Sequence, residues 1–168
     1  VDVSAPSNPR MMGFYQTPGH AQKIAVAGDY AYVTAIDLVE TGDRGLRVVD
    51  VSDPANPTEM GSYVTPADAF GVAVAENYAY VSDEADFWVV DVSDRANPAA
   101  VGSCDRYWGR DMAVAAGYVY VAGGGLSVVD VSDPTNPIVV SGCGSPGDAA
   151  AVAVAGGYAY VADQDQWG

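Results

Sequence analysis

The sequence predicts an all-β fold: a β-propeller of four-stranded antiparallel blades, made from four repeats of about 40 residues. Three observations carry this. The segment Val-Asp-Val-Ser returns at Val1, Val49, Val90 and Val129, at intervals of 48, 41 and 39 residues. An Asn-Pro follows it each time, at Asn8-Pro9, Asn56-Pro57, Asn97-Pro98 and Asn136-Pro137. A second block, two apolar runs around a tight turn, recurs at Ile24 to Val33, Val72 to Val81, Met112 to Val121 and Val152 to Val161.

Each strand of the repeat has its own signal. The inner strand, Ala21 to Gly28 in the first copy, alternates Ala with Ile and Val, a period of two rather than 3.6. Its small face lets neighbouring sheets approach closely. The pairs Gly28-Asp29, Glu76-Asn77, Ala116-Gly117 and Gly156-Gly157 fit two-residue hairpin turns, with three Gly-containing pairs and Asn77 expected to take the positive φ. Tyr30, Tyr78, Tyr118 and Tyr158 open the second strand, Tyr30 to Ala35 in copy one. The third strand runs from Gly45 to Ser52 and the outer strand from near Thr58 to Thr65, joined by the turn chemistry of Asp53-Pro54. The blades are thus expected at about 21–65, 69–106, 109–144 and 149–168 plus 1–17.

The last split follows because the final copy holds two strands and the first copy begins with the other two. Joined, Asp165-Gln166-Trp167-Gly168-Val1-Asp2-Val3 matches Asp86-Phe87-Trp88-Val89-Val90-Asp91-Val92 without a gap. N-terminal strands are therefore expected to complete the C-terminal blade, in the same or a neighbouring chain. The chain opens at Val1 inside a repeat motif, without an initiator Met, and is expected to be a processed or excised piece.

Leu46-Arg47-Val48-Val49-Asp50 and Leu126-Ser127-Val128-Val129-Asp130 each run into Val-Ser-Asp-Pro-x-Asn-Pro. This resembles the LVIVD repeat. Phe87 to Asp91 matches more loosely, and Arg95 stands where the repeat has Pro. The resemblance spans essentially the whole chain. It implies a β-propeller of an exported or surface-associated protein and brings no catalytic residues with it.

Acidic residues outnumber basic ones 22 to 7, for a net charge of −15. That excludes nucleic acid, whose phosphates need Lys and Arg, and docking on anionic membrane. No run of 18 apolar residues marks a membrane insertion. The charge suits solubility first, and cations or basic partners second. Cys104 and Cys143 hold equivalent places in successive repeats, too far apart for a disulfide within one chain, and leave the redox compartment open.

Loops alternate between the two faces of a meander. The inner hairpins and the Asp-Pro-x-Asn-Pro loops share one face, which is nearly uniform between copies and reads as turn chemistry. On the other face the copies differ. There the residue four before the inner apolar run is His20, Asp68, Trp108 or Asp148, followed two positions on by Gln22, Phe70, Arg110 or Ala150. His20, Asp68, Trp108, Arg110 and Asp148 are the ligand-binding candidates at the channel mouth, set against the plainer reading of a polar rim of paired charges. Lys23, Arg106, Tyr107 and Asp111 lie nearby. His20 with an Asp is the one visible acid/base pairing, and no Ser or Cys has a visible base.

The loops after the second strands are acidic. Asp37, Glu40 and Asp43 in copy one, and Asp163 and Asp165 in copy four, are candidate Ca²⁺ ligands, set against solvated loops. Asp83, Glu84 and Asp86 occupy the same loop in copy two. Asp2, Asp50, Asp91 and Asp130 recur inside a strand, where a buried carboxylate requires a structural bond within each blade. The expectation is a non-enzymatic module without cofactor, extracellular or at the cell surface, acting in recognition, adhesion or self-assembly. Its partner is a protein, including a second copy of itself as a dimer or polymer. Small-ligand or glycan binding on the variable face is the alternative, and a hydrolase or lyase at the channel mouth the third reading.

Overall fold

A computed structural model describes residues 1–39, 41–105 and 109–164. The described residues hold fourteen strands and no helix. Blade 1 is β1 (His20–Ala27), β2 (Tyr30–Ile36), β3 (Gly45–Asp50) and β4 (Thr58–Tyr63). Blade 2 is β5 (Ala69–Ala75), β6 (Tyr78–Asp83), β7 (Asp86–Asp91) and β8 (Ala99–Asp105). Blade 3 is β9 (Gly109–Ala115), β10 (Tyr118–Gly123), β11 (Leu126–Asp130) and β12 (Ile138–Cys143). All three are antiparallel meanders in sequence order. β13 (Asp148–Ala155) and β14 (Tyr158–Gln164) pair as a two-stranded fourth unit. The fold is the β-propeller arrangement of repeats that the forty-residue period requires.

Register repeats faithfully. Tyr30 faces Asp50, Tyr78 faces Asp91 and Tyr118 faces Asp130. At the inner hairpins the first turn residue takes positive φ in every copy, Gly28 at 58°, Glu76 at 55°, Ala116 at 52° and Gly156 at 59°, and Gly117 and Gly157 take it at the second position as well, at 80° and 81°. Glu76, not Asn77, therefore carries the left-handed conformation in blade 2. The turn geometry fixes which position bears it, whichever side chain would bear it more easily.

The repeated aspartates also differ from expectation. Asp50, Asp91 and Asp130 close third strands at partly exposed positions, and Asp2 is exposed. Each accepts a hydrogen bond from the backbone N–H two residues on, at Ser52, Ser93, Ser132 and Ser4, over 2.8–2.9 Å. The bond is local, so no buried carboxylate is needed.

Blades pack face to face. Tyr32, Leu46 and Val48 of blade 1 bury against Val72, Val81, Val90 and Val92 of blade 2. Tyr80, Phe87 and Val89 repeat the arrangement against Met112, Val121 and Val131 of blade 3. Near the variable end each inner strand bulges, at Gln22, Phe70, Arg110 and Ala150. A bulge withdraws backbone groups from the ladder. Thr34 Oγ1 of blade 1 donates to the Phe70 carbonyl of blade 2 (2.9 Å), and Ser82 Oγ of blade 2 to the Gly109 carbonyl of blade 3 (2.6 Å). Blade 3 has Ala122 at that place. There the Asp111 carboxylate accepts the Val152 N–H of the fourth unit instead (3.1 Å).

At the outer edge, the fourth strand of one blade runs against the Asp-x-x-Asn-Pro loop of the next. A Cβ on Gly61 would lie 2.5 Å from the Ala96 carbonyl oxygen, and one on Gly102 2.3 Å from that of Pro134. Residues 1–17 obey the same rule: a Cβ on Gly13 would lie 2.4 Å from the Ala55 oxygen. Asp2 bridges Arg10, as Asp50 pairs with Thr58 and Asp91 with Ala99. Residues 1–17 thus have the form of the outer half of a blade, seated on blade 1. Their expected pairing with β14 is not made among the described residues, and residues 165–168 of the expected junction lie outside them.

Gly61→Ala and Gly102→Ala force backbone apart and should each cost about 2–3 kcal/mol in urea unfolding. Ala116→Gly removes left-handed strain and should add about 0.5–1 kcal/mol.

Candidate functional site

His20 opens β1 and Asp148 opens β13, while Asp68 immediately precedes β5. His20 is exposed, and among the described residues no ion pair joins it to Asp68 or Asp148. The Asp68 carboxylate accepts the Asp37 N–H of blade 1 at 2.9 Å, tying two blades together. Arg110, on the blade 3 bulge, donates from Nη1 to Gln164 Oε1 of β14 at 3.0 Å. Trp108, with Arg106 and Tyr107, lies outside the described residues.

What converges between the inner strands is Lys23 and Asp111. Lys23 Nζ of β1 meets Asp111 Oδ1 of β9 at 3.1 Å. Asp111 is buried, and its other oxygen holds Val152. One carboxylate so links blade 1, blade 3 and the fourth unit. Inner strands two blades apart are within one lysine's reach, which requires tight curvature.

The acidic loops use their carboxylates internally. Asp37 accepts the N–H groups of Val39, Gly42 and Asp43 and the hydroxyl of Thr41. Desolvation works against its charge, but the N–H groups, Gly42's foremost, outweigh it and hold the carboxyl at about 2. Asp43 accepts from Thr41 Oγ1 at 2.6 Å and lies 3.6 Å from Arg47 Nη2. Asp83, fully buried, accepts from the N–H groups of Ala85 and Asp86 and from Trp88 Nε1. Asp163, its counterpart in the fourth unit, accepts the Gly147 N–H at 2.8 Å. Among the described residues no three His, Cys, Asp or Glu side chains gather to hold a metal. Glu40 and Asp165 lie outside them. Both cysteines are free thiols, and burial pushes that of Cys104 up to about 11.

The opposite end, read from the sequence as turn chemistry alone, holds the clefts between blades. Between blades 2 and 3 a cleft of about 470 Å³ is lined by Glu76, Tyr78, Tyr80, Ala116, Ser132 and Pro134. In the equivalent place between blades 1 and 2, Arg95 projects from the Asp94 loop, its guanidinium carbon 5.1 Å from the Tyr30 ring centroid. The signal for this was in the sequence: Arg95 is where one copy departs from Asp-Pro. A third cleft, about 740 Å³, runs along the leading face of blade 1 beside residues 1–17, from Pro54 to Gln22 and Lys23 at the variable end, with Val1, Phe14, Ile24 and Val26 in its walls. Tyr15 anchors that segment by donating its hydroxyl to the Glu59 carboxylate, and burial with this bond raises the phenol to about 12.

The Asp37 loop makes a pH prediction. Its carboxyl lies below the ordinary 3.8 in the folded state, so its stabilisation is complete above that value and lost as pH falls towards 2. Carboxyl-detected NMR titration should place Asp37 near 2, and the amides of Val39, Gly42 and Asp43 should lose exchange protection over that same interval. An Asp37 that titrates near 3.8 would contradict the geometry.

Matches to known proteins follow the architecture. No curated protein matches the chain. The LVIVD repeat matches residues 1–17, 18–65, 66–106, 109–144 and 146–166, so the two partial matches are the two half-blades. With nearly every residue inside a matched repeat, the chain belongs to the LVIVD-repeat family.

Proposed function

We infer that this chain is a non-enzymatic propeller module of an exported or cell-surface protein, and that it works by assembly with protein, in the first instance with a second copy of itself. The observation that carries this is the pair of uncovered, complementary half-blades. On the leading face Ile24 and Val26 are 61% and 65% exposed, whereas Val72 and Met112, which hold the place of Ile24 in later blades, are buried. On the trailing face Tyr158 and Tyr160 are 70% and 61% exposed, whereas Tyr32 and Tyr80 at the place of Tyr160 are buried. Residues 1–17 supply an outer half-blade and β13–β14 an inner one. The register of the other blades sets Asp2 opposite Tyr158.

An apolar face of this kind marks an interaction site, and two different faces that fit one another make a head-to-tail contact. The family repeat supports an exported setting, and the charge of −15 keeps assemblies soluble. Catalysis has no support from the variable end, where Lys23 and Asp111 pair, Arg110 holds the Gln164 side chain and Asp68 holds the backbone. The assembly as proposed needs no cofactor, and calcium plays no part in it.

Light scattering on wild type should give a mass above 17.3 kDa that rises with concentration and is unchanged by EDTA. Ile24→Glu blocks one face and Tyr160→Glu the other, both at exposed positions that the isolated chain tolerates. Each variant alone should be monomeric, and an equimolar mixture should form a dimer and nothing larger. A wild type that stays monomeric at every concentration would overturn the assembly reading in favour of closure within one chain.

A further inference from the structure

We propose that the cleft between blades 2 and 3 binds a guanidinium group, presented by an arginine side chain of a partner polypeptide. This goes beyond the assembly reading and uses a different surface.

Two clefts of the molecule are built from the same repeat positions. Tyr78 and Tyr80 in the open cleft stand where Tyr30 and Tyr32 stand between blades 1 and 2. Pro134 stands where Arg95 does, directly after the loop aspartate. In the first cleft the molecule supplies its own occupant. The Arg95 guanidinium lies over the Tyr30 ring, where the ring's negative face attracts a cation. In the second cleft the loop residue is the short, uncharged Pro134, and about 470 Å³ is left open. The space and the aromatic surface that accept a guanidinium in one cleft are repeated in the other, without the arginine.

The open cleft also provides what the filled one lacks. Arg95 Nε and Nη1 are buried without a hydrogen-bond partner. The Asp91 carboxylate interacts with Arg95 electrostatically but does not bond these two nitrogens, and the first hairpin residue of blade 1 is Gly28, which has no side chain to offer. At the matching place in the second cleft stands Glu76, whose carboxylate lines the opening and whose charge reaches the Tyr80 hydroxyl. A guanidinium entering there gains both the Tyr78 ring and a carboxylate to bind through its fork of N–H donors. Lysine fits less well, because its ammonium is a strongly hydrated point charge that neither stacks nor binds in two-pronged fashion. A net charge of −15 draws basic partners towards the site.

The test exchanges the two clefts. A terminally blocked Gly-Arg-Gly peptide is titrated into ¹⁵N-labelled protein, with blocked Gly-Lys-Gly as the control. In wild type, the Arg peptide should shift the amides of Gly117 and Ser132 and leave that of Ser93 still. The Lys peptide should bind at least tenfold more weakly. Pro134→Arg fills the cleft from within and should abolish the Gly117 and Ser132 shifts. Arg95→Pro empties the other cleft and should add a shift at Ser93. Glu76→Gln, at an exposed turn, should weaken binding about tenfold and keeps the test alive if Pro134→Arg does not fold. Equal binding of the two peptides overturns the proposal, and so do undiminished shifts in Pro134→Arg or Glu76→Gln. Self-assembly is scored separately by mass, so failure of either reading leaves the other legible.

Discussion

Everything in this molecule depends on how closely one sheet can lie against the next. Among the described residues each sheet pairs strands of one repeat only, so no ladder crosses from blade to blade. What joins them is buried apolar surface and a few polar contacts. Two devices set the spacing. Alanine on one side of the inner strands admits the neighbouring sheet, and Gly13, Gly61 and Gly102 bring outer strands within van der Waals distance of the next loop's carbonyls. Polar contacts are added where bulges withdraw backbone groups from the ladder, as Thr34, Ser82 and Asp111 do.

The same constraint explains which carboxylates matter. An acidic chain has many, and most of those described here organise the backbone: Asp50 and its equivalents close third strands, Asp37 gathers a loop, and Asp83 receives three N–H groups. Asp111 is different because it serves three units at once. It sits where the repeats differ most, at the place held by Lys23, Gly71 and Ala151 in the other copies.

The fold was legible in the sequence because a forty-residue period and a two-residue alternation are properties of neighbouring residues. Strand limits came within two residues in blade 1, and the turn positions were correct. Contacts between copies were less visible. The pairing of Lys23 with Asp111 joins residues 88 apart and depends on curvature, which no local pattern encodes. The bulges at Gln22, Phe70, Arg110 and Ala150 were noted only as a variable position. Propensity points to Asn77, while the first hairpin position takes positive φ in all four copies and in blade 2 that position is Glu76. At the site level, variation between copies marks one face. The clefts lie on the face where they agree, and Arg95 was recognised as a departure from the repeat without its place over Tyr30 being visible.

The burial of one repeated tyrosine has a consequence for how the molecule comes apart. Exposure at this position runs from 0% at Tyr32 and 5% at Tyr80 to 61% at Tyr160. In a linear array each unit is held by its own stability and by its neighbours, so units covered on both sides open last. Among the described residues blade 2 is clasped on both faces, while the β13–β14 hairpin and the leading face of blade 1, with Ile24 and Val26 exposed, each lack a neighbour on one side. Unfolding of the single chain should therefore begin as fraying at the two terminal units, with blade 2 the last to open.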